Sequence, residues 1–429
     1  MSNEQGLADR GLSMHALMQT LFPICRSITG NGVRETLARL QTVVPLDVFE
    51  IASGTQVFDW IVPPEWNIHD AWIKGPNGQT IIDFQKHNLH VVNYSEPIHV
   101  RLGLPELQRH LHSLPDRPHA IPYRTTYYRR DWGFCLPHAT REALPEGEYE
   151  VCIDAELKEG HLTYGELFLP GETKDEILIS THVCHPSMAN DNLSGVVVAT
   201  ELAKWFSMQS TRKLGIRFLW IPGTIGAIAW ISQHEQELHR IRHGLVLSGV
   251  GDAGPFHYKR SRRGDASIDR VVQRVLRSSG AGFHIQDFVP YGYDERQFCS
   301  PGFNLPVGCF SRSPYGTYPE YHTSDDNLEF VQPGNLAETF EVVSTVIATL
   351  QAEEYFHSTY PKCEPQLGKR GLYERMDEKS DAMGMFWILN LSDGSHSLQD
   401  IAERAALPIA QIERIAQTLL EHDLIHRKR

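Results

Sequence analysis

The chain has 429 residues, 41% hydrophobic and 22% charged, a soluble globular balance long enough for two or three domains. With 53 acidic against 40 basic residues its net charge is −13, which argues against a general nucleic-acid binder, because such proteins need basic surface to displace phosphate counterions. Seven cysteines, odd in number, widely spaced and without a CxxC pair, argue against both a disulfide scaffold and a cysteine-type zinc site.

The start MSNEQGLADRG carries no signal-peptide pattern, so a cytoplasmic location is the expectation. Residues 14–45 show helical spacing on either side of the turn RSITGNG (26–32). The short runs DVFEI, VFDWIV, AWIKG, TIIDF and HVVNY between 47 and 94, with turn signals such as PNG, predict a mostly antiparallel sheet. Residues 101–148, rich in Pro, Tyr and His, read as long loops with one short helix at 105–112. Strand and helix then alternate: strands at 176–181, 213–221, 243–250 and 304–310, and helices at 194–206, 226–239, 267–279 and 335–353. That order predicts an α/β fold, a mixed and mainly parallel sheet with helices on both faces. The most apolar stretch, FLWIPGTIGAIAWI (218–231), is too short for a bilayer and is broken by Pro-Gly, so no membrane partner is expected. After PKCEP (361–365), three short helices at 385–395, 397–407 and 408–425 outline a winged helix. The last carries Glu413, Glu421 and Asp423 against Arg414 alone, which favours protein docking or homo-oligomer formation over DNA reading.

In an open α/β sheet, ligands bind beyond the carboxyl ends of the strands. ISTHVCHPSMANDNLSG (179–195) places His182, His185 and Asp191 after the first of these strands. Asp252 follows the third, and YPEYHTSDDN (318–327) brings His322, Asp325 and Asp326 after the fourth. Imidazole with carboxylate is a ligand set for zinc or a similar divalent ion. The residues alone leave a blander alternative open, in which Asp191 and Asn192 simply cap the following helix. There is no P-loop, complete dinucleotide fingerprint or GxSxG elbow.

The A-x-D-N-x-S-G run, the second strand with its glycine-containing turn, and the late Y-H-T-x-x-D resemble zinc aminopeptidases of the M28 type over roughly residues 140–355. The whole chain more closely resembles the DUF4910 family of aminopeptidase-like proteins, which carries an inserted DUF2172 β-domain and a C-terminal winged helix. LFPICRSITG (21–30), FDWIVPPEW (58–66), YYRRDWGFCLP (127–137), THVCHPS (181–187) and YDERQF (293–298) carry that likeness. It implies a zinc-aminopeptidase-like domain at 1–50 and 140–360, an inserted β-rich domain at 51–139, and a winged-helix-like domain at 366–429.

The resemblance puts His182 and His322 at histidine-ligand positions and Asp191 at the metal-bridging aspartate. Cys184 stands where the M28 pattern has an aspartate that orients the first histidine, and His185 is an additional candidate ligand. The M28 Glu-Glu pair, general base then metal ligand, aligns with Gly223-Thr224, and the third-strand aspartate aligns with Ser248, with Asp252 the nearest carboxylate. One zinc is therefore expected rather than two, held by His182 or His185, Asp191 and His322. Glu295 or Asp294 is the candidate substitute base, while Arg296, Arg312 and Tyr321 are candidate substrate-binding residues. The expected activity is hydrolysis of an amide bond in a small peptide or amino-acid conjugate. The alternative is a non-hydrolytic descendant, either a metal-bearing binding protein or an amide-forming or cyclising transferase. Restoring the missing base through Gly223→Glu is expected to raise turnover.

Overall fold

The computed structural model describes residues 3–372 and 379–427. Its main sheet has eight strands: β1 (Asp47–Ala52), β2 (His161–Leu169), β3 (Glu176–His182), β4 (Gly215–Ile221), β5 (Ile241–Leu247), β6 (Phe256–Lys259), β7 (Phe283–Gln286) and β8 (Val307–Ser311). Their order is β1-β2-β4-β3-β5-β8-β6-β7. The four central strands β4, β3, β5 and β8 run parallel, and antiparallel pairing enters at β2 on one side and β6 on the other. β3 and β4 are buried at every position, as a strand covered on both faces must be.

Alternate side chains of β3 divide the core. Ile177 and Ile179 pack with α1 (Asn3–Leu21), α2 (Asn31–Gln41), α3 (Gly195–Ser207), α5 (Ser267–Ser278) and α6 (Pro333–Ala352). Leu178 faces the opposite way, toward α4 (Ile225–His234) and the inserted β-rich segment. The insertion's own sheet is fully antiparallel, in the order Thr80–Asp83, Glu65–Lys74, Glu148–Lys158, Ile98–Gly103. It therefore reaches Lys158, past the boundary at 139 drawn from the sequence, because Glu148–Lys158 pairs with Glu65–Lys74 along its length.

The C-terminal module joins α7 (Lys379–Leu391), α8 (Leu398–Ala405) and α9 (Ile409–Glu421) to a three-stranded sheet of Asp393–Ser397, Tyr355–Ser358 and Ile425–Arg427. Asp393–Ser395, expected in a helix, opens one of these strands instead. Among the described residues, no helix is long and apolar enough to cross a membrane. The module is tied to the main sheet by Arg274 of α5, which pairs with Glu353 and, at 2.6 Å, with Asp400. Both carboxylates are nearly buried. Arg274→Ala leaves them without this cation, so unfolding of the C-terminal module in a denaturant titration is expected to be easier by about 2 kcal/mol. This lies below the usual buried-pair cost because Arg270 still reaches Asp400.

Candidate metal centre

The loop after β3 is held by its own polar side chains. Oδ1 of Asn192, Oγ of Ser194 and Oδ1 of Asn190 accept successive N–H groups of Gly249, Val250 and Gly251 at 2.8–3.0 Å. Asn192 Nδ2 also donates to Thr181 Oγ1 at 2.8 Å. A Cβ on Gly195 would lie 2.6–2.7 Å from Thr181 and the Asn192 amide, so the motif's last position has room only for glycine. From the far side, Asp326 accepts the N–H groups of Asn190 at 2.6 Å and Asp191 at 2.9 Å. Burial, opposed by these donors, pushes its carboxyl up to about 8. Asp191 is thus fixed by backbone bonds and turned away from the helix it precedes. It does not serve as a cap.

Its carboxylate is the focus of three histidines. Oδ1 stands 2.9 Å from Nε2 of His182, while Oδ2 stands 3.0 Å from Nε2 of His322 and 3.9 Å from Nε2 of His185. Ligand-capable atoms of His182, His185 and Asp191 all lie within 4.8 Å of one another. Asp191 Oδ2 and His322 Nε2 are buried atoms that face each other without forming a hydrogen bond. Burial drives both His182 and His185 below the ordinary imidazole value. Burial opposes charge on Asp191, but the surrounding histidines hold its carboxylate well below the usual range. His182 and His185, both held toward the neutral form, beside an ionised carboxylate whose Oδ2 faces His322 Nε2 at 3.0 Å, are a donor set that suits a divalent cation.

Aromatic rings fix the histidines. Tyr321 stacks on His322 at 3.9 Å, and Tyr123 lies 5.0 Å from His322 and 5.2 Å from His185. Tyr123 belongs to the insertion, whose backbone pairs with the His322 loop through Tyr123 N–H to His322 O at 2.7 Å. Arg26, from LFPICRSITG, donates through Nε to the His185 carbonyl at 2.8 Å. The roles of Tyr123 and Arg26 could not be read from motif, since each acts through a contact distant in sequence.

The structure assigns other work to several residues singled out from the sequence. Asp252 lies outside the histidine–aspartate group; its carboxylate accepts from Asn190, Gly254 and Ser313. Glu295 is not a free base, because it is fully buried against Lys259 at 2.5 Å and accepts the Tyr293 N–H. Asp294 is also fully buried, with neither oxygen hydrogen-bonded, and burial pushes its carboxyl well above the ordinary value. Arg312 is spent on Gly254 O, Thr339 and Glu338 beneath the sheet edge and cannot clamp a substrate. Arg296 has a buried Nε without a hydrogen bond, on the short helix Glu295–Phe298.

Tyr293 went unnoticed in the sequence. Its ring packs on His182 with centroids 3.8 Å apart, and its hydroxyl lies 3.5 Å from Cys184 Sγ. The ring fills the space beside Gly223: a Cβ there would lie 2.0 Å from Tyr293 Cε1 and 2.6 Å from its hydroxyl. Position 223 is therefore not an empty base position awaiting a carboxylate.

The sheet order and the strand-end polar centre define an aminopeptidase-like α/β fold. A family model described as "Domain of unknown function (DUF4910)" matches residues 15–353, and one described as winged helix-turn-helix matches 354–427. The chain belongs to the DUF4910 family. A Clostridium acetobutylicum relative is 47% identical over 98% of both chains; its name assigns it provisionally to polysaccharide biosynthesis and gives it an aminopeptidase-like domain. The crystal structure of a protein from the same organism, provisionally described as a peptidase, superposes with a TM-score of 0.84 at 46% identity, covering 99% of this chain and 98% of that one. A zinc aminopeptidase from Bacillus subtilis shares the fold at 14% identity, with a TM-score of 0.59 over 80% of this chain and 95% of its own.

Proposed function

We propose that the protein is a single-metal, zinc-dependent hydrolase of an amide bond in a small peptide or amino-acid conjugate. The observation that carries this reading is the approach of His185 and His322 to one unpaired oxygen of Asp191 at the carboxyl edge of the sheet. His185, His322 and Asp191 Oδ2 would hold the ion. His182 braces the other oxygen of Asp191, its Nδ1 facing the Asn192 amide at 3.2 Å. Among the described residues a second ion has no comparable set, since Gly223, Thr224 and Ser248 occupy the remaining ligand positions of the M28 pattern. When bound, zinc supplies Lewis acidity to a carbonyl and lowers the pKa of water. The insertion, through Tyr123, walls the histidines and limits the substrate to small molecules. The name of the Clostridium relative supports including amides borne on sugars among the conjugates tested.

Purified protein is expected to retain one equivalent of zinc by elemental analysis and to cleave some member of a panel of aminoacyl anilides and aminoacyl amino sugars. Turnover should lie about 10²–10⁴-fold below that of base-bearing aminopeptidases, because Glu295 is paired with Lys259 and Asp294 is fully buried, so neither serves as the base. Protein that takes up no zinc would overturn the reading. The C-terminal module is read as a protein-docking surface, because Arg414 of its last helix is already paired with Asp381 at 2.7 and 2.9 Å. Duplex DNA added at low salt should therefore leave the protein unbound in a mobility-shift assay.

A further inference from the structure

We propose that Tyr293 is a catalytic residue, its hydroxyl donating a hydrogen bond to the oxygen of the substrate carbonyl under attack. The inference rests on the hydrolase reading above and names a residue that reading leaves unused. Three departures from the aminopeptidase pattern meet at this point. Gly223 leaves a space, Tyr293 fills it, and Cys184 replaces a carboxylate beside the phenol.

The phenol hydroxyl is a donor at neutral pH by its ordinary chemistry, whereas the carboxylate that normally occupies this region is an acceptor. The site has thus exchanged a group that takes a proton for one that presents a proton. The ring packs on His182 with centroids 3.8 Å and planes 31° apart, which fixes it beside the carboxylate-histidine centre, and residue 293 is only half-buried. Cys184 Sγ lies 3.7 Å from the Gly223 carbonyl, to which it donates, and it can accept from Tyr293 with its lone pairs. Thiol sulfur is a weak acceptor. The hydroxyl is therefore held on a partner it can leave readily for a carbonyl oxygen, whose acceptor strength grows as negative charge develops. An aspartate at 184 would keep the same hydroxyl in a charge-assisted bond. Tyr123, the other tyrosine packed on the ligands, is committed elsewhere, with its hydroxyl 3.0 Å from that of Tyr127. No proton changes owner in this step; the donor stabilises negative charge where it develops.

The test uses full-length zinc-loaded protein and acetohydroxamate, a small metal-directed oxyanion, in isothermal titration. Tyr293→Phe keeps the ring and its stacking. It is expected to leave zinc at one equivalent and to weaken acetohydroxamate by about 10–100-fold, the range for one hydrogen bond to a charged oxygen. Cys184→Asp, which captures the hydroxyl, should weaken the probe in the same way. On any amide the wild type cleaves, Tyr293→Phe should lower kcat and leave KM in place, the mark of an interaction made in the transition state. Unchanged acetohydroxamate affinity in zinc-loaded Tyr293→Phe would overturn this role while leaving the metal reading intact. Failure of the wild type to bind zinc overturns both.

Discussion

Asp191→Asn is expected to empty the centre of metal, with zinc falling from one equivalent to background and affinity lost by at least about 10²-fold. Losses of 10–100-fold follow removal of the outer partners of metal ligands, and here the ligand charge itself is removed. The amide keeps the carboxylate's shape, so the backbone bonds from Asn190 and Asp191 to Asp326 persist and the fold should melt close to wild type. The loss would then report ligation and not collapse. Competition with a chelator, read as zinc retained, gives the result directly. Asp252→Asn is the matched control: its carboxylate is one position from the same loop through Asn190, yet it is bonded to Asn190, Gly254 and Ser313. It should lose stability and keep zinc. His322→Ala should behave as Asp191→Asn, because its Nε2 meets the same oxygen.

The parts of this centre that lie within one motif were legible in the sequence. β3 announces itself by a continuous apolar run, and the polar residues that follow can only lie at its carboxyl end. The α/β order of the central sheet was equally readable. The last two strands of the sheet, β6 and β7, were not, since each has four residues and neither carries a continuous apolar run. The C-terminal strand DGSHS holds no apolar residue and takes its conformation from pairing with Tyr355–Ser358. Charge misled the reading of YDERQF: Glu295 and Asp294 look like spare acids until Lys259, 36 positions earlier, is seen to pair with one and full burial to enclose the other. Tyr293 sits in that same motif, but what it does depends on the space beside Gly223, and sequence spacing has no term for volume.

That volume decides the fate of Gly223→Glu. The sequence alone led to the expectation that this change restores a base and raises turnover. With Tyr293 in place, the new Cβ would stand 2.0 Å from a ring carbon, a separation no real pair of such atoms sustains. The ring cannot yield freely, being packed on His182 with its hydroxyl against Cys184. The single variant is therefore expected to lose about 3 kcal/mol, the upper end of ordinary overpacking costs, and to show no gain in turnover. Thermal melting and a single-turnover assay check the two halves of that statement. Clearing the space first should reverse the outcome. In Gly223→Glu combined with Tyr293→Ala, the carboxylate has room, and turnover is expected to exceed that of Tyr293→Ala alone by up to about 10²–10⁴-fold, the usual contribution of a positioned base. A second metal should still be absent, because Thr224 and Ser248 remain. If Gly223→Glu alone melted normally and turned over faster, the tyrosine would not be held where the structure places it, and the base would be the only thing the site had lost.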